Sequence, residues 1–597
     1  MKKLKIIAPL SVMCLSLVGC NNKGTDGVRL WNAFSTENLI SDWDYDDAEN
    51  SENDQYKDRD STLRFNCIRN ENEGVQLMIS AKNHINSFDF ELPDVKGDRG
   101  VISKDHFSVA AAWYQDVGGT NEKYAYPGYY PDALIPLENY KFRRHNFIEK
   151  GRTQALYFNL VTDKDTPAGT YKGTGVLTLD DKKYDIPFEV RVYDAEMPDE
   201  VHHQSCYLIW YEEIQNGELK NSNPDMHMKY FDYVVSKRLS PDGLPDAYES
   251  NDELYINTYI EKIVKNDAIR NTRAPFVGNQ CTYPRVKSFL QKLIDKNIEL
   301  RLAGDTTIDL FRKMIFYVDD EPTAAKYPEV KAHDKAIFDV KKELCTQLKD
   351  YPDLYESFTH IENLVTIQYT DELVATNEEG GVECWCPQFQ YFQTAENREN
   401  YIKRMTETDG QRDFGEHVWW YGCMDPQTPY PSYHLDADLL NSRLIKYMQY
   451  DYAIQGNVFW NVCYYSKYTR GFTTSRDIWH DSISWANCAG DGQLLYPGVA
   501  YGIDGPITTL RMESILAGNE EYEYQWLIEQ KVNEYNTQKG TSYETRELLQ
   551  KYYKRLFKNV IAYDSDEEFD AVRLELLDVL ETLNHNLDAG MAKLLAK

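Results

Sequence analysis

The sequence predicts a multidomain chain: an N-terminal β-sandwich, then a (β/α)8 barrel of the TIM-like kind, then a C-terminal helical segment. Three observations carry that reading. Short runs with period-two patterning fill residues 25–198, isolated apolar runs alternate with helical segments from about 204, and residues 541–597 read as helix throughout. The boundaries expected are 1–19 for a leader, 20–29 for a tether, 30–199 for the sandwich, 200–535 for the barrel and 536–597 for the helical segment.

The leader comes first. "MKKLKIIAPLSVMCLSLVGC" has a basic start, a short apolar stretch and Leu17-Val18-Gly19-Cys20, which resembles the lipobox of bacterial lipoproteins. The resemblance implies cleavage before Cys20, a lipid on its thiol and a place in the bacterial cell envelope, periplasmic or outer-membrane. No later stretch reaches the roughly 18 apolar residues of a spanning helix, so the lipid is the one membrane contact expected.

In the first module the strands are read at "GVQLMISA" (74–81), "SFDFELPDV" (87–95), "QALYFNLVTD" (154–163), "GTGVLTL" (173–179) and "YDIPFEVRVYD" (184–194). Asp180-Asp181-Lys182-Lys183 supplies a polar turn between the last two. In the second module the strands are read at "SCYLIWY" (205–211), "NIELRLAG" (297–304), "NLVTIQYT" (363–370), "HVWWYGC" (417–423) and "NVFWNVCYY" (457–465). Helices are read between them at 335–350, 397–407 and 436–454, where apolar residues recur at three and four. A doubly wound sheet is the alternative, though no GxGxxG follows the first strand. At the end, Thr541/Glu544 and Ser565/Glu568 have capping-box spacing.

Composition narrows the function. The 597 residues carry a net charge of −31, more negative still without Lys2, Lys3 and Lys5 of the leader, so nucleic acid is excluded as a partner. With 45 Tyr and 11 Trp the chain has rings to stack on flat apolar faces. Nine cysteines lie beyond Cys20; no CxxC pair, HExxH, GxSxG or P-loop pattern occurs, so no metal and no cofactor are expected.

The chemistry is read at one strand end. In "TIQYTDELVATN" (366–377) the acids Asp371 and Glu372 follow an apolar run, where a (β/α) barrel places its active site. Tyr369 precedes them, and Trp419, Tyr421, Trp460 and Asn461 lie in or after two later strands, positions that suit either core packing or the wall of a sugar site. An acid pair facing rings is what glycoside hydrolysis needs, one carboxyl to protonate the leaving oxygen and another to stabilise positive charge.

"VWWYGC" (418–423), "GNVFWNV" (456–462), "GDGQLLYPG" (490–498) and "GPITTLRMESILAGNEEYEYQWL" (505–527), together with the acids at 371–372, resemble the catalytic domain of glycoside hydrolase family 123. "ENEGVQLMISA", "AGTYKGTGVLTL" and "FEVRVYDAEMP" resemble the sandwich that precedes it. The resemblance spans roughly 30–530 and implies an exo-acting β-N-acetylgalactosaminidase working on glycans or glycolipids by a retaining route. In that route the substrate's own 2-acetamido oxygen attacks the anomeric carbon. Carried over, Asp371 orients the acetamido group and Glu372 is general acid, then base. Asp491 and Tyr496 join Tyr369, Trp419, Tyr421, Trp460 and Asn461 as substrate-binding candidates, while Arg511, inside a helix, reads as structural. Many relatives follow the acid pair with proline, whereas Leu373 follows here. Another β-N-acetylhexosamine epimer, and a non-catalytic glycan-binding lipoprotein, are the competing readings.

Overall fold

The computed structural model describes residues 27–41, 56, 58–118, 120, 127–249, 251–376, 378–406 and 416–596; the leader and Cys20 lie outside them. The first module comprises β1 (Val28–Ala33), β2 (Leu63–Arg69), β3 (Asn72–Ala81), β4 (Phe88–Glu91), β5 (Val95–Gly97), β6 (Gly100–Ile102), β7 (Phe107–Val117), β8 (Gly128–Pro136), β9 (Thr153–Val161), β10 (Gly169–Leu179) and β11 (Lys182–Glu196). One sheet runs β1-β3-β9-β7-β8, the other β2-β11-β10-β5-β6 with β4 beside β10. Asp180 takes a positive φ of 50° at the β10–β11 turn, the left-handed geometry that a tight polar hairpin requires.

Phenylalanines join the two sheets. Phe65, Phe90 and Phe188 from one meet Phe107 and Phe158 from the other in mostly edge-to-face pairs with centroids 4.7–5.8 Å apart. All five are buried, each gaining about 1.5–3 kcal/mol from leaving water. β3 is buried almost end to end, because its other face, with Trp31 and Met78, packs on Leu439 and Leu510 from the C-terminal half. That explains why "GVQLMISA" is continuously apolar and not strictly alternating.

The second module is a parallel sheet of β12 (Gln204–Tyr207), β13 (Thr272–Arg273), β14 (Met314–Asp320), β15 (Glu362–Thr366), β16 (Cys384–Trp385), β17 (His417–Tyr421) and β18 (Gly456–Phe459). The order is β12-β18-β17-β16-β15-β14-β13. Between β12 and β13 residues 240–242 take the missing place: the Tyr207 N–H donates to Ser240 O (3.0 Å), that of Asp242 to Tyr207 O (3.1 Å) and that of Arg273 to Asp242 O (2.8 Å). A nearly closed seven-stranded barrel results. Cys206, Ile315, Tyr317, Leu364, Cys384, Cys386, Trp419, Tyr421 and Val458 form the cluster that fills it.

Several expectations are corrected. The regular (β/α)8 count is not met, and β15 reaches β16 through residues 367–383, where the described residues hold a single 3-10 turn, Asp371–Leu373, instead of a helix. Residues 297–304 are not a strand: they continue and end the helix Tyr283–Leu302, whose Val286, Leu290, Leu293, Ile294 and Asn297 form one buried stripe. The strand of that unit is β14, further along. Thr541 does not cap a helix; Thr545–Leu556 starts after Glu544, with no side-chain cap. Ser565 does cap Asp566–His585, accepting from the Glu568 N–H.

Two helices bind the modules together. Leu510–Lys539 lies along Asn441–Asp451, and Asp566–His585 crosses it and reaches β11. Arg511 pairs with Asp132 of β8 at 2.8 Å, both fully buried.

Candidate active site

At the C-terminal end of β14 the chain reads Asp319-Asp320-Glu321-Pro322. A register shift between Tyr317 and Asp319 re-aims the strand end, and Glu321 takes φ +44°, a strained conformation for a residue with a Cβ. Hydrogen bonds hold the turn. Asp320 Oδ1 accepts from Tyr317 Oη (3.0 Å) and from Thr366 Oγ1 (2.7 Å), while the Glu321 N–H donates to the same Thr366 oxygen (3.0 Å). Tyr421 Oη donates to Glu321 Oε1. Tyr317 and Tyr421 both belong to the barrel-filling cluster, so two adjacent acids, side chains that a regular strand would send to opposite faces, both meet hydroxyls from the barrel interior. Burial first, then the charge of the acid each contacts, pushes both phenols far above their ordinary range and keeps them donors.

The pair expected from the sequence is placed differently. Asp371 and Glu372 sit on the 3-10 turn Asp371–Leu373, which packs against the helix Tyr327–Leu344. Asp371 Oδ1 accepts from Tyr369 Oη at 2.5 Å. The Tyr369 ring packs edge-on to Trp385 (centroids 5.0 Å, 62°) beneath the Arg404 guanidinium, and Trp385 donates to Glu416 (3.0 Å). Burial, with help from Asp371, pushes the Tyr369 phenol up to about 12. Trp385 belongs to the cluster shared with the surrounding helices and not to the barrel filling, so Tyr369 holds Asp371 toward the outside of the ring.

The other candidates divide. Trp460, partly exposed at the end of β18, donates its indole N–H to Asp491 Oδ1 (3.0 Å). Asp491 is buried, its Oδ2 has no hydrogen-bond partner, and His434 Nε2 lies 3.8 Å from Oδ1. Burial raises this carboxyl, opposed by His434 and by the Trp460 bond. Asn461, also buried, uses Oδ1 to accept from the Cys463 N–H (2.9 Å) and leaves its Nδ2 unbonded. Buried polar atoms are normally paired, so these two are available to a ligand. The Cys423 thiol is pushed up to about 12 by burial first, then by Asp491, with Glu321 contributing.

Two candidates do not line a site. Trp419 is fully buried in the barrel, packed so closely over Gly456 that a Cβ there would come within 2.2 Å of the ring. Tyr496 is buried between the modules and donates to Asp132 (2.8 Å). Arg511, besides Asp132, donates to the carbonyls of Gly490 (2.8 Å) and Gln493 (2.5 Å), and so shapes the loop that carries Asp491. No group of three or more His, Cys, Asp or Glu among the described residues could hold a metal ion.

Paired acids at the end of β14, and a tryptophan bonded to a buried carboxylate at the end of β18, are the kinds of group a sugar site uses. Residues 309–527 match the glycoside hydrolase 123 catalytic domain. The chain carries a family 123 catalytic domain. That match supports a glycoside hydrolase. Its fold is similar to that of a family 123 glycoside hydrolase from Clostridium perfringens studied for glycolipid glycan hydrolysis, with TM-score 0.63, 13% identity, and 95% of this chain and 99% of that one covered. A cycloisomaltooligosaccharide glucanotransferase from Paenibacillus (TM-score 0.20, 8% identity, 60% and 52% covered) and β-glucuronidase 2 of Bacteroides uniformis (0.19, 9%, 68% and 41%) are too distant to argue from. No curated protein matches the chain.

Within the family 123 domain, Tyr317, Asp320, Glu321 and Thr366 were not read from the sequence. A signal was there: Asp320-Glu321-Pro322 has the proline that is missing after Glu372, and it follows the apolar run "MIFYV".

Proposed function

We propose that the protein is an exo-acting glycosidase that releases terminal β-linked N-acetylgalactosamine by a retaining, substrate-assisted route, with Asp320 and Glu321 as its acids in place of Asp371 and Glu372. The observation that carries the proposal is the double anchoring of this pair, Asp320 by Tyr317 and Thr366 and Glu321 by Tyr421. In the first step the 2-acetamido oxygen bonds to the anomeric carbon as the bond to the leaving oxygen breaks, and Glu321 gives that oxygen its proton. Asp320 faces the acetamido N–H and stabilises the positive charge that develops on the oxazoline. Water then attacks the anomeric carbon, Glu321 takes its proton, and the acetamido group is restored; two inversions give net retention. Trp460 offers a face for the sugar ring, with Asp491 and Asn461 bonding its hydroxyls.

The glycolipid substrate of the Clostridium perfringens hydrolase suggests glycolipid headgroups as substrates here as well. A lipid on Cys20 would keep the enzyme at a membrane, and Cys20→Ala should then move it to the soluble fraction; a wild-type protein already soluble would refute the anchor.

Hydrolysis of nitrophenyl β-N-acetylgalactosaminide is compared with that of its glucosamine epimer and of the β-galactoside. The expected result is preference for the first, near-inertness of the last, and strong inhibition by a thiazoline mimic of the oxazoline. Equal turnover of galactoside and acetamido sugar, without thiazoline inhibition, would overturn the mechanism.

A further inference from the structure

Trp460 belongs to a line of aromatic rings. Trp460 meets Trp210 at 5.4 Å and Trp485 at 4.9 Å, and Trp485 lies flat on Tyr468 at 4.1 Å with 16° between the ring planes. Tyr464 backs them, 5.8 Å from Trp210 and 5.2 Å from Trp485. Trp210, Trp460, Trp485 and Tyr468 are all partly exposed, whereas Tyr464 behind them is buried.

The outer part of this line stands on a small sheet. Lys467–Thr469 pairs with Phe472–Thr474 across the turn Arg470-Gly471 and, through Tyr468 beside Trp485, with Ile483–Trp485. Ile483–Trp485 in turn pairs with Cys488–Ala489. Arg470, Gly471, Ala486 and Asn487 all have positive φ, of 52°, 85°, 46° and 67°. At Ala486 and Asn487 that geometry is strained, and the Ala486 N–H bond to Tyr468 O (3.0 Å) holds it, locking Trp485 against Tyr468.

Core packing does not account for these rings. A tryptophan or tyrosine sequestered for stability finds a partner for its polar end. Here the indole N–H groups of Trp210 and Trp485 and the Tyr468 hydroxyl have no hydrogen-bond partner among the described residues, and all three side chains keep exposed surface. Flat apolar faces edged with unused donors match a pyranose, which offers C–H faces and a rim of hydroxyls. An acyl chain has nothing to give the donors.

We propose that Trp485 and Tyr468, with Trp210 at the inner end, form a subsite for the saccharide ring next to the terminal sugar, on the leaving-group side of the scissile bond. The assignment rests on the reading above that the site takes a terminal sugar, because an exo-acting site leaves the remainder of the glycan nowhere to go but outward. The platform adjoins Trp460, which the terminal sugar would touch. It would thus select substrates by their second sugar.

The test compares kcat/KM for the disaccharide N-acetylgalactosaminyl-β-1,4-galactose with that for methyl β-N-acetylgalactosaminide, whose leaving group is too small to reach the platform. Trp485→Ala should lower the disaccharide-to-methyl ratio about tenfold, the loss of one stacked ring, and Tyr468→Phe about twofold to threefold, with Trp485→Phe in between. An unchanged ratio overturns the proposal, as does an equal loss on both substrates in Trp485→Ala and Trp485→Phe. If octyl β-N-acetylgalactosaminide loses as much as the disaccharide, the rings serve a lipid chain and the sugar assignment falls. Should the wild-type enzyme cleave none of these substrates, the terminal-sugar reading fails by itself. The platform is then judged by saturation-transfer NMR with lactose: transfer seen with wild type and lost in Trp485→Ala sustains it, and no transfer to wild type refutes it.

Discussion

Two neighbouring strands of the barrel, β14 and β15, are followed by the same two letters, Asp then Glu, and the two pairs live in different surroundings. Asp320 and Glu321 receive hydroxyls from Tyr317, Thr366 and Tyr421. Asp371 receives one from Tyr369, and among the described residues Glu372 has only its own backbone N–H bonded, to Thr370 Oγ1. The first pair meets residues that fill the barrel; the second is tied to a ring that packs on the helices around it. An acid pair at a strand end therefore locates chemistry only once the side of the sheet supplying its donors is known. Position along the strand is half of the information.

The sharpest way to break this contrast is the same change at both pairs. Glu321→Gln should lower kcat on natural glycosides by about a thousandfold or more and spare good leaving groups, because it removes the proton donor, whereas Glu372→Gln should stay within about twofold. The reverse order, measured in steady-state kinetics, would return the chemistry to the second pair. Next in size, Asp320→Asn should cost on the order of a hundredfold and weaken thiazoline binding, and Asp371→Asn should do neither. Tyr421→Phe and Tyr369→Phe sharpen the comparison further: the first should lower kcat about tenfold or more by freeing Glu321, and the second should shift the melting temperature only.

The smallest effect concerns acids that belong to neither pair. Glu73 and Glu520, buried where the sandwich meets the last helices, are raised to about 7 by burial, opposed at Glu73 by Arg573 and at Glu520 by Arg238. A carboxyl raised in the folded state holds its proton there longer than in the unfolded chain. Their contribution to stability is therefore present at about pH 4.5 and lost as pH rises through 7. Calorimetric melting should give a lower Tm at pH 8 than at pH 5, and Glu73→Gln should flatten that slope without altering the contrast between the two pairs.

The sandwich was legible because its strands announce themselves by alternation and by the Asp180 turn. The barrel was less so, for three local reasons. "NIELRL" alternates as a strand does, yet Asn297 ends the buried stripe of the helix Tyr283–Leu302 while Ile298 and Leu300 are half-buried and Leu302 is exposed, and the longer period won. "MIFYV" is a short run buried on both sides, with no period to read, and missing it hid Asp320 and Glu321 at its end. Residues 240–242, Ser-Pro-Asp, have no strand propensity at all and are held beside β12 and β13 by backbone bonds to Tyr207 and Arg273. At Trp419 and Trp420 the sequence could not say which ring faces inward; the barrel takes Trp419 and the helices take Trp420. Trp460, read from its place at a strand end, and Asp491, read through the family blocks, by contrast meet as donor and acceptor.

The way the barrel closes has a bearing on how the protein could be divided. The family 123 match begins at residue 309, whereas β12, β13 and the 240–242 segment between them all come earlier in the chain. A protein begun at 309 would keep five of the seven strands as an open parallel sheet, with the backbone of β14 bare on one side and that of β18 on the other. Bare edges of this kind pair with each other between molecules. Such a fragment should therefore collect in aggregates, and the segment that evolution repeats from protein to protein is here shorter than the segment that can stand in water alone.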